Sequence, residues 1–143
     1  MNPFETTVQF RWSDLDPNFH VRHSVYYDIC AQLRTVGLGA AGFTLEFFAQ
    51  NKIGPVLFRE ECTFRREIRF GDTITVDLQA LKLAKNGGRF SFVHHFKRGE
   101  DLVATLVVDG AFIDTEKRKL TTPPENALPM MDRIPKAEGF EWT

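Results

Sequence analysis

Cysteine is scarce: Cys30 and Cys62 are the only two. Two thiols make no disulfide scaffold, and both are expected as reduced core residues of a cytosolic protein. Long apolar runs are missing too. The longest stretch without charge, Thr35 to Leu45, falls far short of the roughly 20 apolar residues that span a bilayer. The opening MNPFETTVQF has neither the basic nor the apolar region of a secretory signal, so the expected location is the cytoplasm. Charge of one sign is not in excess. With 18 basic and 19 acidic residues the net charge is −1, which removes the global basic field of a nucleic-acid binder. An anionic ligand would need a local basic cluster. No internal repeat, low-complexity tract, P-loop or dinucleotide fingerprint is present. Asn86-Gly87-Gly88 is too short to cradle a phosphate convincingly. Tyr and Trp occur twice each, whereas Phe occurs 14 times, so the core should be aromatic. The 143 residues suit a single domain over 1–143, with a tail from about 121.

The pattern of apolar residues gives an element order. Thr6 to Trp12 alternates, with Val8, Phe10 and Trp12 on one face, and predicts a strand. A polar loop follows. Ser24 is placed to cap a helix, with Asp28 in its first turn at the positive end of the dipole. Tyr26, Ile29, Cys30, Leu33 and Val36 recur at helical spacing as a buried stripe. Glycines from Gly37 to Gly42 should end this helix, and Phe43 to Gln50 adds a short second one. Strands are then expected over Val56–Phe70, Thr73–Leu83, Arg89–Lys97 and Leu102–Asp114, separated by Gly71-Asp72, by the hairpin turn at Asn86 and by Arg98-Gly99-Glu100. In the first of these, Val56, Phe58, Cys62, Phe64, Ile68 and Phe70 should point inward. The tail, with four of the seven prolines, is expected to pack a last helical turn and then fray. Strands segregated from one long helix mean α+β, with an antiparallel sheet whose second face is solvated or covered by a partner.

The unusual stretch is FRWSDLDPNFHVRHSVYY, residues 10 to 27. Asp14, Asp16, Asn18, His20, Arg22 and His23 crowd into ten positions between a strand and a helix. Asp16 before Pro17 reads equally as a turn former and as a reactive carboxylate. Asp14, Asp16, His20 and His23 are metal-ligand types, but their spacing matches no compact zinc signature, so no metal is expected. His94 and His95 fall on opposite faces of one strand. His94, among Phe90, Phe92 and Phe96, reads as a satisfied inner-face histidine. Glu60 and Arg66 share the inward parity of their strand and are read as structural.

This order of elements resembles the hotdog fold, a five-stranded antiparallel sheet wrapped around one long central helix. Arg11-Trp12-Ser13-Asp14-Leu15-Asp16 through His20-Val21-Arg22-His23 to Tyr26 resembles the 4-hydroxybenzoyl-CoA thioesterase-like acyl-CoA thioesterases. FRREIRFGDTITV and ATLVVDGAFIDTEKRKLTTPPE resemble two further segments of that family. The likeness runs over roughly residues 5 to 125. Departures are Phe19 for the family's Gly, Arg22 and His23 for its paired Asn, and Ala31 and Gln32 where an acidic residue is common in mid-helix.

The resemblance implies hydrolysis of a fatty or aromatic acyl-CoA to free acid and CoA. In it, Asp16 is the catalytic carboxylate, as nucleophile or as general base, and backbone N–H groups around His23 and Ser24 form an oxyanion hole. His20 would orient Asp16 or the loop, and His23 is a candidate acid, base or carbonyl-polarising group. Asp14 is expected to cap the loop or contact backbone amides, with at best a supporting role on the substrate side, where Tyr26 is a further candidate contact. Lys85 and Arg89 are candidate nucleotide contacts. Coenzyme A enters as part of the substrate, with no separate cofactor. The resemblance further implies a homo-oligomer, dimer or tetramer, with sites between subunits. Two other readings stand beside it: a non-catalytic acyl-thioester binding module, and a hotdog dehydratase or hydratase. The latter needs an Asp-to-His spacing that Asp14, Asp16 and His20 do not reproduce.

Overall fold

The computed structural model describes residues 2–143. The chain opens with β1 (Glu5–Val8), a 3-10 turn at Trp12–Asp14, the long helix α1 (His23–Ala41) and the short helix α2 (Leu45–Asn51). The strands β2 (Ile53–Phe64), β3 (Ile74–Asp77), β4 (Gln79–Leu83), β5 (Arg89–Arg98) and β6 (Asp101–Asp114) follow. The chain ends with β7 (Lys119–Thr121), a helical turn α3 (Leu128–Asp132) and β8 (Lys136–Trp142).

The strands form one sheet that is five rows wide. β2 lies at one edge against β6, and β6 pairs β5, with β7 in line beyond it. β3 and β4 form the next row, and β1 and β8 the last. The α+β class and the antiparallel sheet on one long helix are as the pattern implies. β3 and β4 are the two halves of the expected Thr73–Leu83 strand. It breaks at Leu78, whose N–H turns to the Phe4 carbonyl at 2.8 Å.

Four expectations need correction. Strand β1 stops at Val8, and Trp12 projects into solvent. The Asp14 carboxylate accepts the Arg11 N–H at 2.9 Å and folds this stretch into a 3-10 turn. Strand β2 stops at Phe64, because the Arg65 and Arg66 amides both turn to the Val103 carbonyl. Of its supposed inward residues only Ile68 is buried, while Phe58, Phe64 and Phe70 are exposed. An edge strand extending past its helix has no layer to point into. The tail does not fray. Strand β8 pairs β4 in parallel, Ala127, Met131 and Ile134 are buried, and Arg133 donates to the Ala41 carbonyl at 2.9 Å. That bond satisfies one of the orphan carbonyls at the end of α1.

The fourth correction concerns the start of α1. The helix begins at His23, not after Ser24, and Arg22 occupies the N-cap without a side-chain cap bond. Asp28 therefore lies in the second turn. The buried stripe of α1 runs through Tyr26, Cys30, Leu33, Gly37 and Ala41 and also takes in Arg34, whereas Val36 is exposed. Gly37 is required there, since a Cβ would come within 2.9 Å of Leu78. Tyr26, Cys30 and Leu33 join Val76, Phe92, Phe96 and Leu106 in one core on the sheet.

Candidate active site

The loop between β1 and α1 closes on itself at Asp16. Its N–H donates to the His20 carbonyl at 2.8 Å, and its carbonyl accepts from the Phe19 N–H at 2.9 Å. The Asp16 carboxylate accepts from the Asn18 and His20 amides at 2.9 and 3.2 Å, both through Oδ1. Oδ2 carries no bond among the described residues. The carboxylate is thus held on one oxygen and available on the other. The tight turn places Phe19 at φ 64°, the left-handed region where a glycine has no Cβ penalty. That is the physical reason for a glycine in the resembling pattern.

Asp16, His20, His23 and Tyr26 line one cleft of about 320 Å³, together with Phe64, Arg65, Arg66 and Glu67. Four of the eight sequence-selected site residues therefore meet. His23 is exposed at the first position of α1, where among the described residues the His23 and Ser24 amides have no partner and no side chain caps them, while the Val25 amide turns to the Arg22 carbonyl at 3.1 Å. Ser24, at the second position, engages its hydroxyl as acceptor for Arg22 Nε at 3.1 Å. His20 touches Asp16 through its backbone, not its ring; Nε2 lies 3.1 Å from Glu67. Glu67 in turn pairs Arg69, whose N–H donates to Asp72, and Arg98 bridges the Asp72 carboxylate and the Glu67 carbonyl. This chain pins the far wall of the cleft. The guanidinium of Arg69 holds the Glu67 carboxyl below its usual range, with His20 adding to the effect.

Tyr26 forms the floor. It is buried edge-on against Phe64 at 4.9 Å, and burial pushes its phenol up to about 12. It remains protonated at neutral pH and offers an O–H.

The structure separates the other selected residues from this cleft. Asp14 is buried, its carboxylate taken by Arg11, and it faces a different cleft with Arg22. The Arg11 guanidinium holds its carboxyl below the usual range. Lys85 and Arg89 line a third depression at the Asn86 turn that shares no residue with the Asp16 cleft. Arg89 also lies 5.4 Å over the Phe58 ring. No group of three His, Cys, Asp or Glu among the described residues is placed to hold a metal ion.

Sequence reasoning missed one site. Arg34, in the middle of α1, is only 8% exposed. It donates to His94 Nε2 at 3.0 Å and approaches Glu60 at 3.5 Å. His94 Nδ1 lies 2.8 Å from the Asp77 carbonyl. A carbonyl only accepts and a guanidinium only donates, so His94 is neutral with its proton on Nδ1. Glu60 pairs Arg34. The signal was present in the sequence. Arg34 falls four residues after Cys30 on the buried stripe, and His94 has inward parity.

A helix wrapped by an antiparallel sheet, with its uncapped N-terminus beside a carboxylate-bearing loop, defines the hotdog class. A family model described as the Thioesterase-like superfamily matches residues 10–131, and the chain belongs to that family. It is a thioester hydrolase. None of the curated proteins matches it. Among solved structures it is similar to a Staphylococcus aureus hypothetical protein in complex with CoA, with TM-score 0.83, 19% identity and coverage of 90% of this chain and 81% of that one. It is also similar to a 1,4-dihydroxy-2-naphthoyl-CoA thioesterase from Synechocystis, with TM-score 0.78, 17% identity and coverage of 91% and 96%. A DHNA-CoA thioesterase from Staphylococcus aureus aligns with TM-score 0.73 at 14% identity, covering 83% of this chain and 79% of that one. No helix among the described residues is long and apolar enough to cross a membrane.

Proposed function

We propose that this chain hydrolyses acyl-CoA thioesters to the free acid and CoA, with Asp16 as the catalytic carboxylate. The observation that carries the reading is the meeting of Asp16, with one free carboxylate oxygen, and the uncapped start of α1 in one cleft. A thioester carbonyl seated there points its oxygen at the His23 and Ser24 amides. These amides stabilise the oxyanion as it develops. Asp16 either attacks the carbonyl carbon, giving a mixed anhydride that water opens, or draws a proton from the water that attacks. Both routes release CoA as thiol and the acyl group as acid. Arg65 and Arg66 share the cleft and are the cations suited to the phosphates of coenzyme A. Lys85 and Arg89 line a separate depression of the same chain.

The functional unit is a homodimer joined along the β2 edge. β2 pairs only β6, is 12 residues long and exposes Phe58 and Phe64. Such an edge calls for a cover. Antiparallel pairing of two copies about a two-fold axis sets the Phe64 end of one β2 beside the Pro55 end of the other. The Asp16 cleft of one protomer then adjoins the partner's apolar cleft beside Pro55 and Leu57.

The test is thiol release from short, long and aromatic acyl-CoAs by wild type and Asp16→Asn. Asparagine keeps the Oδ1 acceptor that shapes the loop, so the fold is retained. Loss of the carboxylate is expected to lower kcat/KM by about a hundredfold or more. Equal activities would remove Asp16 from the chemistry and turn attention to His23. Tight binding of acyl-CoA without any release would mark a binding module.

A further inference from the structure

An apolar cleft lies between the C-terminal half of α1, helix α2 and the sheet. It holds about 490 Å³ and is walled by Leu38, Phe43, Phe48, Leu57, Phe90 and Phe92. Among the described residues, Arg34 is its one charged lining residue. A buried guanidinium in an apolar wall is costly unless its charge is answered. The answer within the chain is partial. His94 accepts one N–H but is neutral, and Glu60, itself on the exposed edge strand, stands 3.5 Å away. Five guanidinium N–H donors exist; among the described residues two bonds are made, and both hold the group in place. The His94 ring is fixed in turn by the Asp77 carbonyl. The result is a preorganised donor in the wall of an apolar cleft.

We propose that this cleft receives the acyl group of the substrate and that Arg34 selects acyl groups bearing a hydroxyl or carboxylate oxygen at their far end. The apolar walls take the carbon skeleton, and the guanidinium takes the oxygen. Placement of the acyl group here rests on the thioesterase reading and on the β2 dimer, which brings this cleft beside a catalytic one. The chemistry of the recognised group rests on Arg34 alone. His94 is a positioning residue: it touches no ligand but fixes the plane of the guanidinium.

The experiment uses matched pairs: octanoyl-CoA against its ω-carboxyl counterpart, and benzoyl-CoA against 4-hydroxybenzoyl-CoA. Wild type and two variants, Arg34→Met and Arg34→Lys, are compared on all four. The corresponding free acids are also tested for the thermal shift they impose on each protein, which reads binding whether or not the thioester is cleaved. Wild type is expected to favour the oxygen-bearing member of at least one pair. Arg34→Met should lose that preference by about ten- to a hundredfold, read as the ratio of kcat/KM between the two members of the responding pair. Arg34→Lys retains charge in the wall, so it separates misfolding from lost recognition. It should restore part of the preference for the carboxylate. Which pair responds distinguishes a carboxylate from a phenolic ligand. Selective shifts with the free acids but no thiol release would support this inference while the thioesterase reading fails. Wild type indifferent within both pairs, in turnover and in thermal shift, would overturn it. So would an Arg34→Met variant that keeps the wild-type preference within the responding pair.

Discussion

Asp16 combines two tasks that sequence reasoning had set against each other. As a turn former it accepts two amides through Oδ1; Oδ2, without a bond among the described residues, is left for the catalytic role proposed above. The same loop carries Phe19 in the left-handed region, 76% exposed, at a backbone cost of about 1–2 kcal/mol. The loop's own hydrogen bonds offset this. His94 offers a prediction at this scale. Burial and the facing Arg34 push its imidazole down to about 4, against the opposing Asp77 carbonyl. An unfolded histidine titrates near 6.5. Between these values the unfolded chain binds the proton and the native one does not. The His94 contribution to stability is therefore fully present above about pH 6.5 and is lost as pH falls towards about 4. Urea unfolding at about pH 7.5 and about pH 5 should show wild type losing about 2 kcal/mol more than His94→Gln. Parallel losses in the two proteins would mean that His94 is solvated in the native state.

Among the elements, the β2–β6 pair depends on an absent side chain. The register shifts between Leu57 and Arg59, and Gly110 lies opposite Leu57 at this bulge. A Cβ on Gly110 would meet the Val56 carbonyl at 2.4 Å and the Phe90 ring at 2.7 Å. Backbone and a buried ring cannot both withdraw, so Gly110→Ala should destabilise the chain by about 1–3 kcal/mol in chemical denaturation. Gly54→Ala in the same ladder is the control. Its Cβ would stand 3.5 Å from Thr115, an ordinary contact, and should cost nothing. Helix α1 is held differently at its two ends. Arg133 closes its C-terminus, whereas its N-terminus is left open, which is the asymmetry an oxyanion site needs.

For the whole molecule, the dimer proposed along the β2 edge is directly testable. Wild type should sediment as a dimer of about twice 16.4 kDa. Phe58→Asp puts a carboxylate on the exposed part of that strand and should shift the population to monomer, with loss of activity wherever the acyl cleft comes from the partner. A wild-type chain that sediments as monomer at micromolar concentration would exclude the β2 pairing.

The sequence by itself determined the local structure: the helix stripe from Tyr26, the alternation of Phe90, Phe92, His94 and Phe96, and the turns at Gly71 and Asn86. Periodicity and turn chemistry are properties of neighbouring residues, and they also mark the Asp16 loop as unusual. Tertiary structure decided the rest. Ser24 has the chemistry of a cap, but Arg22 holds that position, because its N–H bonds the Asp14 carbonyl and its side chain reaches the Ser13 carbonyl and Ser24. The tail looks like a frayed end until β4 offers it an unpaired edge. Lys85 and Arg89 look like a basic patch until the fold sets them apart from Asp16. Arg34 and His94 are 60 positions apart in the chain, so no local pattern could pair them. Their meeting is a consequence of laying one helix across one sheet.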